Sequence, residues 1–447
     1  MVCSEVTHVE TSGMSPRGST FPSRTTTRSR NEPRYKGVPP LPFYKRNLLV
    51  LSISIFLTAC SWNQISPFLA LYIESMDATA NIARWSGLVF AAHFVSAFFA
   101  QPLWGKLGDR VGRKAMVMRA GFGLTVVYFG LSMSTQPWHL VGWRFANGIL
   151  TGFIPGSITL IATNTPEDKA ARAVAIAQSA SAAGSMVGPV LGGILAGIFG
   201  YRLSLKASGI ILLFSTLAVG LLVKEEKTEA LAERSTIKED LQIVFDSPVM
   251  RIVLITILLA NILTLSVTPI LTLYLRELSP MMSGAISGAI FSLPGIAFVL
   301  TAYRWSSLGE RQGFDRPILA GLIGAGTAMA LLALAPTIWW FGAGYFIYGL
   351  FAAALAPSAA CLIATRVPED FRGRAYGVQQ SAGMLGGLIG PLAAGWVGDR
   401  FGLNYIFILT GIVALSGSFV LYHLFRRTRQ ITIEKKAKEP HQSMASN

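Results

Sequence analysis

The feature that most constrains the fold is a series of apolar runs, each about 20 residues long, which is enough to cross a bilayer as an α-helix. Charged residues make up only 14% of the chain and hydrophobic residues 52%, so the sequence predicts an all-α polytopic membrane protein. Twelve transmembrane helices can be drawn, at residues 47–73, 84–104, 115–134, 138–162, 173–199, 203–223, 249–275, 281–303, 317–335, 338–364, 375–398 and 403–425.

The basic residues are distributed unevenly between the two ends of these helices. All but six of the 38 Lys and Arg residues fall on the side that also carries both termini. The six are Arg84, Arg202, Lys206, Arg276 and Arg400 on the other side and Arg144 within a helix. By the positive-inside rule the basic side is cytoplasmic. We therefore expect a multi-pass protein of the cell (plasma) membrane with both termini in the cytoplasm, embedded as a monomer in the lipid bilayer. Because the basic residues that give the net charge of +15 are spread over the ends of the helices, no basic domain remains that would bind nucleic acid.

The segments between the helices divide the chain into domains. Residues 1–45 are rich in Ser, Thr, Arg and Pro and predict a disordered cytoplasmic N-terminal tail. An overlong predicted start site is the alternative explanation for this segment. The charged segment 224–248 predicts a cytoplasmic linker between a six-helix bundle at 46–223 and a second one at 249–425. A basic cytoplasmic tail follows at 426–447.

An internal repeat supports this division. The sequence Leu-Ile-Ala-Thr at 160–163 recurs at 362–365, and Pro-Glu-Asp at 166–168 recurs at 368–370, in both cases 202 positions later. The same offset relates Gly188-Pro189 to Gly390-Pro391. Parallel tandem halves are how many secondary transporters place a substrate site at mid-membrane. A duplicated channel or a structural membrane protein could also carry such a repeat.

The segment 104–119, WGKLGDRVGRKAMVMR, is too charged to lie in hydrocarbon and must sit in water between two helices. An ordinary basic cytoplasmic loop is the simple alternative. Its spacing G-x-x-x-D-R-x-G-R-K resembles the loop signature of the major facilitator superfamily. The resemblance implies secondary transport by twelve helices in two pseudo-symmetric six-helix bundles. It also implies a conformational latch in which Asp109 meets the start of the eleventh helix, around residues 372–376. The latch loop comprises Gly105, Asp109, Arg110, Gly112, Arg113 and Lys114.

Two further patterns resemble motifs of this superfamily. The fifth helix carries Gly184, Gly188, Pro189, Gly192 and Gly193 in the order G-x-x-x-G-P-x-x-G-G. This run resembles the fifth-helix motif of antiporters, which implies export, whereas close packing of small residues explains it without any transport role.

The fourth helix carries Arg144 followed by Gly148 and Gly152. R-x-x-x-G-x-x-x-G resembles the fourth-helix motif whose arginine is tied to proton coupling. A charge inside the membrane costs roughly 2.5–3.5 kcal/mol on insertion scales. Arg144 is therefore either functional or reaches the outer interface with its side chain. His93 is the second candidate for proton coupling, since an imidazole titrates near neutrality, although a hydrogen-bonded structural imidazole is the simpler interpretation.

Polar residues within the helices either line a cavity or form hydrogen bonds between helices. The cavity-lining candidates are Asn63, Gln64, Asn147, Gln178, Asn261, Tyr345, Gln379 and Gln380. No acidic residue lies deep in any helix, which leaves the proton carrier open. The sequence contains no phosphate-binding loop, catalytic motif or clustered metal ligands. We therefore expect no enzyme activity, metal or cofactor. The resemblance to the superfamily implies the proton gradient as the driving force.

Between residues 44 and 425 the chain is most similar to the twelve-helix drug:proton antiporters, and among them to MdtG-like multidrug resistance proteins. This resemblance implies proton-coupled efflux of drugs or other amphipathic small molecules by alternating access. Uptake or exchange of a sugar or other metabolite is the alternative within the same fold, and a receptor or scaffold is the alternative outside it.

Overall fold

A computed structural model describes residues 42–76, 81–225 and 247–444 of the chain, and these residues form fifteen α-helices with no strand among them. The helices of the first half are α1 Pro42–Ile65, α2 Leu69–Glu74, α3 Ile82–Val111, α4 Arg113–Ser132, α5 Pro137–Leu150, α6 Phe153–Thr163 and α7 Glu167–Leu222. Those of the second half are α8 Pro248–Val267, α9 Leu271–Leu278, α10 Gly284–Gln312, α11 Asp315–Leu332, α12 Ile338–Ala352, α13 Leu355–Arg366, α14 Glu369–Phe401 and α15 Asn404–Met444.

These helices form twelve membrane spans, as predicted. Helix α7 has 56 residues and contains Gly200 with φ 76° and ψ 167°, which is not a helical conformation. At 1.5 Å per residue it is far longer than the roughly 30 Å that one crossing requires, so it forms spans 5 and 6. In order, spans 1 to 4 are α1–α2, α3, α4 and α5–α6, and spans 7 to 12 are α8–α9, α10, α11, α12–α13, α14 and α15.

Several predicted boundaries differ from the structure. The charged segment after Trp104 is not a loop, because α3 continues as a helix to Val111 and the chain turns at Gly112 alone, with φ 111°. Predicted span 4 is interrupted at Gly152, where φ is 120°. Span 12 continues as helix α15 to Met444, well into the predicted tail. The predicted N-terminal tail and most of the predicted linker lie outside the described residues.

Each half of the molecule has its own apolar core. Buried residues from Leu51 to Val223 form one cluster, and those from Met250 to Leu421 form another. Large apolar side chains such as Phe99, Phe214 and Trp339 remain exposed on the outside, as expected of a surface that faces lipid. The halves are therefore two separately packed bundles.

The two halves meet along two seams that are related by the internal repeat. In the first seam a methyl group added at Gly288 of span 8 would overlap the carbonyl oxygen of Pro189 in span 5. In the second a methyl group at Gly87 of span 2 would overlap the carbonyl oxygen of Pro391 in span 11. Only glycine permits such close approach of two backbones. We call the end of the molecule that carries these seams, together with Glu74 and Arg276, the sealed end.

The opposite end of the molecule carries Gly112, and we call it the basic end. At this end a methyl group added at Gly105 of span 2, or at Gly373 or Gly377 of span 11, meets no described atom within 4 Å, so these glycines do not form a seam among the described residues. The described glycine seams between the halves therefore lie toward the sealed end.

Candidate substrate cavity

A cavity of about 300 Å³ lies between the two halves, where the seam of spans 2 and 11 ends. Span 2 of the first half and spans 7, 10 and 11 of the second half enclose it. Its lining residues are His93, Phe94, Ala97, Gln101, Ile257, Asn261, Ala356, Gln379, Gln380, Gly383 and Met384. A site at the interface of two repeats is where secondary transporters of this architecture bind their substrates.

Helical spacing brings these side chains to one wall per helix. His93, Ala97 and Gln101 follow each other at intervals of four in α3, which places them on one face. The pair Ile257 and Asn261 repeats this interval in α8. Each contributing helix therefore presents a single polar-containing face to the cavity.

Two glycines shape the cavity wall on span 11. A methyl group at Gly383 would come within 3.2 Å of the Asn261 amide nitrogen, so this glycine leaves room for the asparagine. At Gly387 a methyl group would lie 2.6 Å from the ring of Phe94. Phe94 therefore packs directly on span 11 and closes the cavity toward the sealed end. Gln101 is the lining residue of span 2 that lies farthest toward the basic end.

Arg144 lies behind His93 and is only 1% exposed. Its guanidinium carbon is 5.0 Å from the centre of the Trp62 ring and 5.4 Å from that of Phe90, which are cation–π distances. The Trp62 ring is in turn 4.6 Å from the His93 ring. The two predicted proton-coupling candidates are thus brought together through one tryptophan.

The backbone around this cluster is held by span 4 packing on span 2. The Ser96 hydroxyl donates to the Phe145 carbonyl oxygen at 2.7 Å. A methyl group at Gly148 would overlap the His93 carbonyl oxygen, so the two helices touch at this level. The predicted R-x-x-x-G pattern therefore has a packing role here as well as placing the arginine.

Several buried polar atoms near the cavity have no hydrogen-bond partner among the described residues. They are Nε and Nη2 of Arg144, Nδ2 and Oδ1 of Asn147, Nδ1 of His93 and Oε1 of Gln379. Buried polar groups in native proteins are nearly always hydrogen-bonded, so such a concentration calls for an explanation. Water, a substrate group or a proton carrier are the species that could satisfy them.

The predicted cavity-lining residues separate into two groups. Asn261, Gln379 and Gln380 line the cavity. The other five do not. Gln64 is buried in the first half, where its amide nitrogen donates to the Ser204 hydroxyl at 2.6 Å and its amide oxygen accepts from Ser208. Asn63 donates to Ser185 at 3.1 Å.

The remaining three residues of that second group also lie elsewhere. Asn147 is fully buried behind the cavity wall, and Gln178 is exposed on span 5. Tyr345 is buried in the second half, stacked on Tyr348 with ring centres 5.5 Å apart. The cavity-lining residues that were not predicted from the sequence are Phe94, Ala97, Gln101, Ile257, Ala356, Gly383 and Met384. Helical spacing of four residues from His93 would have identified Ala97 and Gln101.

The predicted latch segment is organised by a residue that sequence reasoning missed. Glu225, just after span 6, accepts hydrogen bonds from the backbone N–H groups of Arg113 at 2.7 Å and Lys114 at 3.0 Å. A carboxylate at a helix N-terminus satisfies free donors and the helix dipole together. The Lys114 ammonium donates to the Gly220 carbonyl oxygen at 2.8 Å. The side chains of Asp109 and Arg110 lie outside the described residues, so the Asp109 latch stays a prediction.

The glycines predicted as an antiporter motif pack on two different neighbours. Gly184, Gly188 and Gly192 face span 1, where added methyl groups would overlap backbone atoms of residues 56–64. Gly193 instead faces Gly284 of span 8, and Pro189 faces Gly288. The run recurs in span 11 as Gly386, Gly390, Pro391, Ala394 and Gly395. Both copies form the seams of the sealed end.

Polar contacts between the halves reinforce the sealed end. Arg276 Nη2 lies 2.5 Å from Glu74 Oε1. The Thr272 hydroxyl donates to the Pro67 carbonyl oxygen at 2.5 Å, and the Ser292 hydroxyl donates to the Met186 carbonyl oxygen at 2.6 Å. These contacts must break if the sealed end is to open.

The family model of the Major Facilitator Superfamily matches residues 51–289 and 268–446, one match for each half. The chain belongs to the major facilitator superfamily. Proteins of this superfamily are membrane transporters and not enzymes.

Curated members of the superfamily resemble the chain over most of its length. It is 33% identical over 396 residues to the multidrug resistance protein MdtG of Escherichia fergusonii, covering 87% of this chain and 96% of that protein. It is 32% identical over 373 residues to the uncharacterized MFS-type transporter YuxJ of Bacillus subtilis, covering 82% and 95%.

Among solved structures, a bacterial homolog of the human lysosomal transporter Spinster matches with a TM-score of 0.74 at 14% identity, covering 86% of this chain and 97% of that one. The nucleoside transporter NupG matches with a TM-score of 0.69 at 15% identity, covering 85% and 99%. At these identities the structures show the shared fold of this superfamily.

Proposed function

We propose that this chain exports drugs or other amphipathic small molecules by alternating access, in exchange for protons. The observation that carries the proposal is the cavity between two repeat-related halves, whose sealed end is closed by glycine seams. Rocking of the halves about this cavity would open the sealed end and close the basic end. The similarity to MdtG multidrug resistance proteins supports efflux as the direction.

The orientation in the membrane follows from charge. The basic end carries Arg113, Lys114, Arg372 and Arg374, and it faces the cytoplasm by the positive-inside rule. Both termini then lie in the cytoplasm, and the plasma membrane is the membrane we propose. In this orientation the sealed end faces away from the cytoplasm, and opening of the basic end would let an exporter collect its substrate from the cytoplasm.

Proton coupling is assigned to His93 with Arg144. His93 is the one titratable side chain among the residues that line the cavity, and it contacts the same tryptophan as the buried arginine. An imidazole is a side chain that can take up and release a proton. Movement of Trp62 or Arg144 between the two open states would change the environment of that proton.

The proposal is tested with inside-out vesicles that contain the purified protein. A panel of neutral, anionic and cationic fluorescent amphiphiles is added outside, and an acidic lumen supplies the proton gradient. We expect accumulation of at least one dye in the lumen, and loss of accumulation when an uncoupler collapses the gradient. Vesicles without protein are the control.

Each outcome separates the functions considered. Accumulation that persists without the gradient would remove proton coupling and leave export. If the dyes do not move but a sugar or other metabolite crosses the membrane, uptake or exchange is the function. A protein that moves no solute at all in either direction would be a receptor or scaffold.

A further inference from the structure

The buried charge behind the cavity wall is positive, and the interior of the spans contains no acidic residue to balance it. The sequence contains no Asp or Glu within residues 42–73, 82–108, 113–163, 169–222, 248–276, 284–309, 316–366, 371–398 or 404–428, which include the interior of every span. Arg144 is the one Lys, Arg, Asp or Glu side chain that is buried among the described residues. Its charge is therefore not compensated by a carboxylate within the membrane.

This charge acts on the cavity because little separates the two. His93 forms part of the cavity wall, and the Trp62 ring touches both His93 and the Arg144 guanidinium. The residues lining the cavity are otherwise uncharged. In a membrane interior of low dielectric constant the field of one buried cation extends over several ångströms with little screening. The aromatic rings of Trp62 and Phe90 stabilise the cation without cancelling its net charge.

The unsatisfied atoms point in the same direction. Arg144 Nε and Nη2 and Asn147 Nδ2 are hydrogen-bond donors that are buried and have no partner in the part of the chain that the structure describes. Arginine binds carboxylates and related oxyanions through two N–H groups at once. The two unpaired Arg144 nitrogens therefore call for an acceptor, and an anionic acceptor matches a cation best, whereas the unpaired Asn147 Oδ1 and Gln379 Oε1 call for a donor.

We propose that the cavity selects amphipathic organic anions, whose carboxylate or other oxyanion is attracted by the field of Arg144 behind Trp62 and His93 while the apolar body lies against Phe94, Ile257 and Met384. This rests on the proposed export function and narrows its substrate class. Permanently cationic amphiphiles are excluded by the same field. Neutral amphiphiles bind more weakly than anions, through Asn261 and the glutamines of span 11.

The test uses three probes with the same apolar body: pyrenebutyrate, its primary amide and a pyrenebutyl-trimethylammonium salt. Binding to the purified protein is followed by energy transfer from tryptophan to pyrene, with protein-free micelles as the blank for partitioning. We expect the carboxylate to bind at least about tenfold more tightly than the ammonium, with the amide between them.

Variants connect the preference to the buried charge. Arg144→Gln should reduce carboxylate affinity to that of the amide, while Arg144→Lys, which keeps the charge, should keep the order of the three probes. Arg119→Gln is the matched control, because Arg119 is a partly buried arginine bonded to the Thr151 carbonyl oxygen and lies outside the cavity lining. It should leave the order unchanged.

The inference fails if the wild-type protein binds the ammonium probe as tightly as the carboxylate, or binds none of the three probes. It also fails if Arg144→Gln folds and retains the preference. Export itself is judged separately by the dye panel in vesicles, so a protein that exports cationic dyes would overturn the anion selectivity and keep the proposed function. If Arg144→Gln does not fold, the order of the probes on wild-type protein and on Arg144→Lys still decides.

Discussion

The two halves of the molecule share a backbone plan but differ in what they bury. The first half buries a charge, Arg144, in span 4. At the repeat offset of 202 the corresponding residue of span 10 is Phe346. Around that position the second half stacks aromatic rings, with Tyr345 and Tyr348 parallel to within 13° and Tyr274 4.7 Å from Phe407. The second half contributes amides to the cavity, and the first half contributes the charge.

The two halves also share a tryptophan hydrogen bond. Trp104 donates to the Ile149 carbonyl oxygen at 2.6 Å, and Trp305 donates to the Leu350 carbonyl oxygen at 2.7 Å, in each case 45 residues later in the chain. Both bonds satisfy carbonyl groups near a break in a helix. These hydrogen bonds and the paired glycine seams are therefore common to both halves. The side chains near the cavity, in contrast, differ between the halves.

The comparison is tested most strongly by making span 4 resemble span 10. Arg144→Phe removes the buried charge and its hydrogen-bond donors. Losing the attraction between this charge and the substrate, taken at about 1.5–3 kcal/mol as for interactions with charged groups, should lower the efflux rate by roughly ten- to a hundredfold. The rate is measured in vesicles with protein amount matched by quantitative blotting. Phe346→Leu in the second half is the mirror control and should retain most of the activity. Full efflux by Arg144→Phe would refute the division of roles.

The shared seams predict equal effects in the two halves. Gly87→Leu and Gly288→Leu each place a side chain against a proline carbonyl group across a seam. Overpacking of about 1–3 kcal/mol should hold the sealed end open and lower efflux about tenfold or more in both variants. Gly142→Leu is the matched control, because an added methyl group there meets no atom within 4 Å. If only one seam variant lost activity, the halves would not move as symmetric bodies.

The overall fold could be predicted from sequence because it depends on patterns that a chain displays linearly. Apolar runs gave twelve spans, and repeats such as Gly188-Pro189 with Gly390-Pro391 gave two halves. Details of the turns were less accessible. The helix α3 runs on through residues 106–110, since Lys, Leu and Arg are good helix formers once the helix has left the membrane, and one glycine at 112 suffices for the turn.

The cavity was less predictable, because a polar residue in a span does not reveal which neighbour it faces. Gln64 and Asn261 look equivalent in sequence, yet Gln64 bonds to Ser204 inside the first half and Asn261 lines the cavity. Asn261 differs in facing Gly383 of another span, a contact that no local pattern encodes. The rotation of each helix about its axis is fixed by packing partners that are distant in the sequence. This rotation decides which residues line the cavity.

A smaller effect is expected from the N-terminal cap of span 3, which differs from that of span 9, its counterpart in the second half. Span 9 has an acid in its own first turn, Asp315, whereas span 3 takes its cap from Glu225, about 110 residues away in sequence. Glu225→Ala should lower the free energy of unfolding by about 0.5–2 kcal/mol, the usual value of a helix cap.

The loss is measured as a lower melting temperature in detergent. Glu225→Gln keeps one amide oxygen as an acceptor and should lose only part of the stability. If Glu225→Ala melted with wild-type, the cap would have no role in holding α4 against the end of span 6, and the hydrogen bond from Lys114 to Gly220 would have to account for that contact.

The weakest contact between the halves is expected to be the ion pair of Glu74 and Arg276. Their side chains are 32% and 47% exposed, and an exposed pair contributes about 0–1 kcal/mol, so Glu74→Gln should change the efflux rate by less than about fivefold.

Charge reversal is more informative, because Glu74→Arg places two cations against each other at the sealed end. That variant should open the end more readily, and the double exchange with Arg276→Glu should restore the wild-type rate. High salt should shrink all three differences. Were the exchange not to restore the rate, closure would depend on the glycine seams and on the Thr272 and Ser292 hydrogen bonds, and the ion pair would be dispensable for the transport cycle.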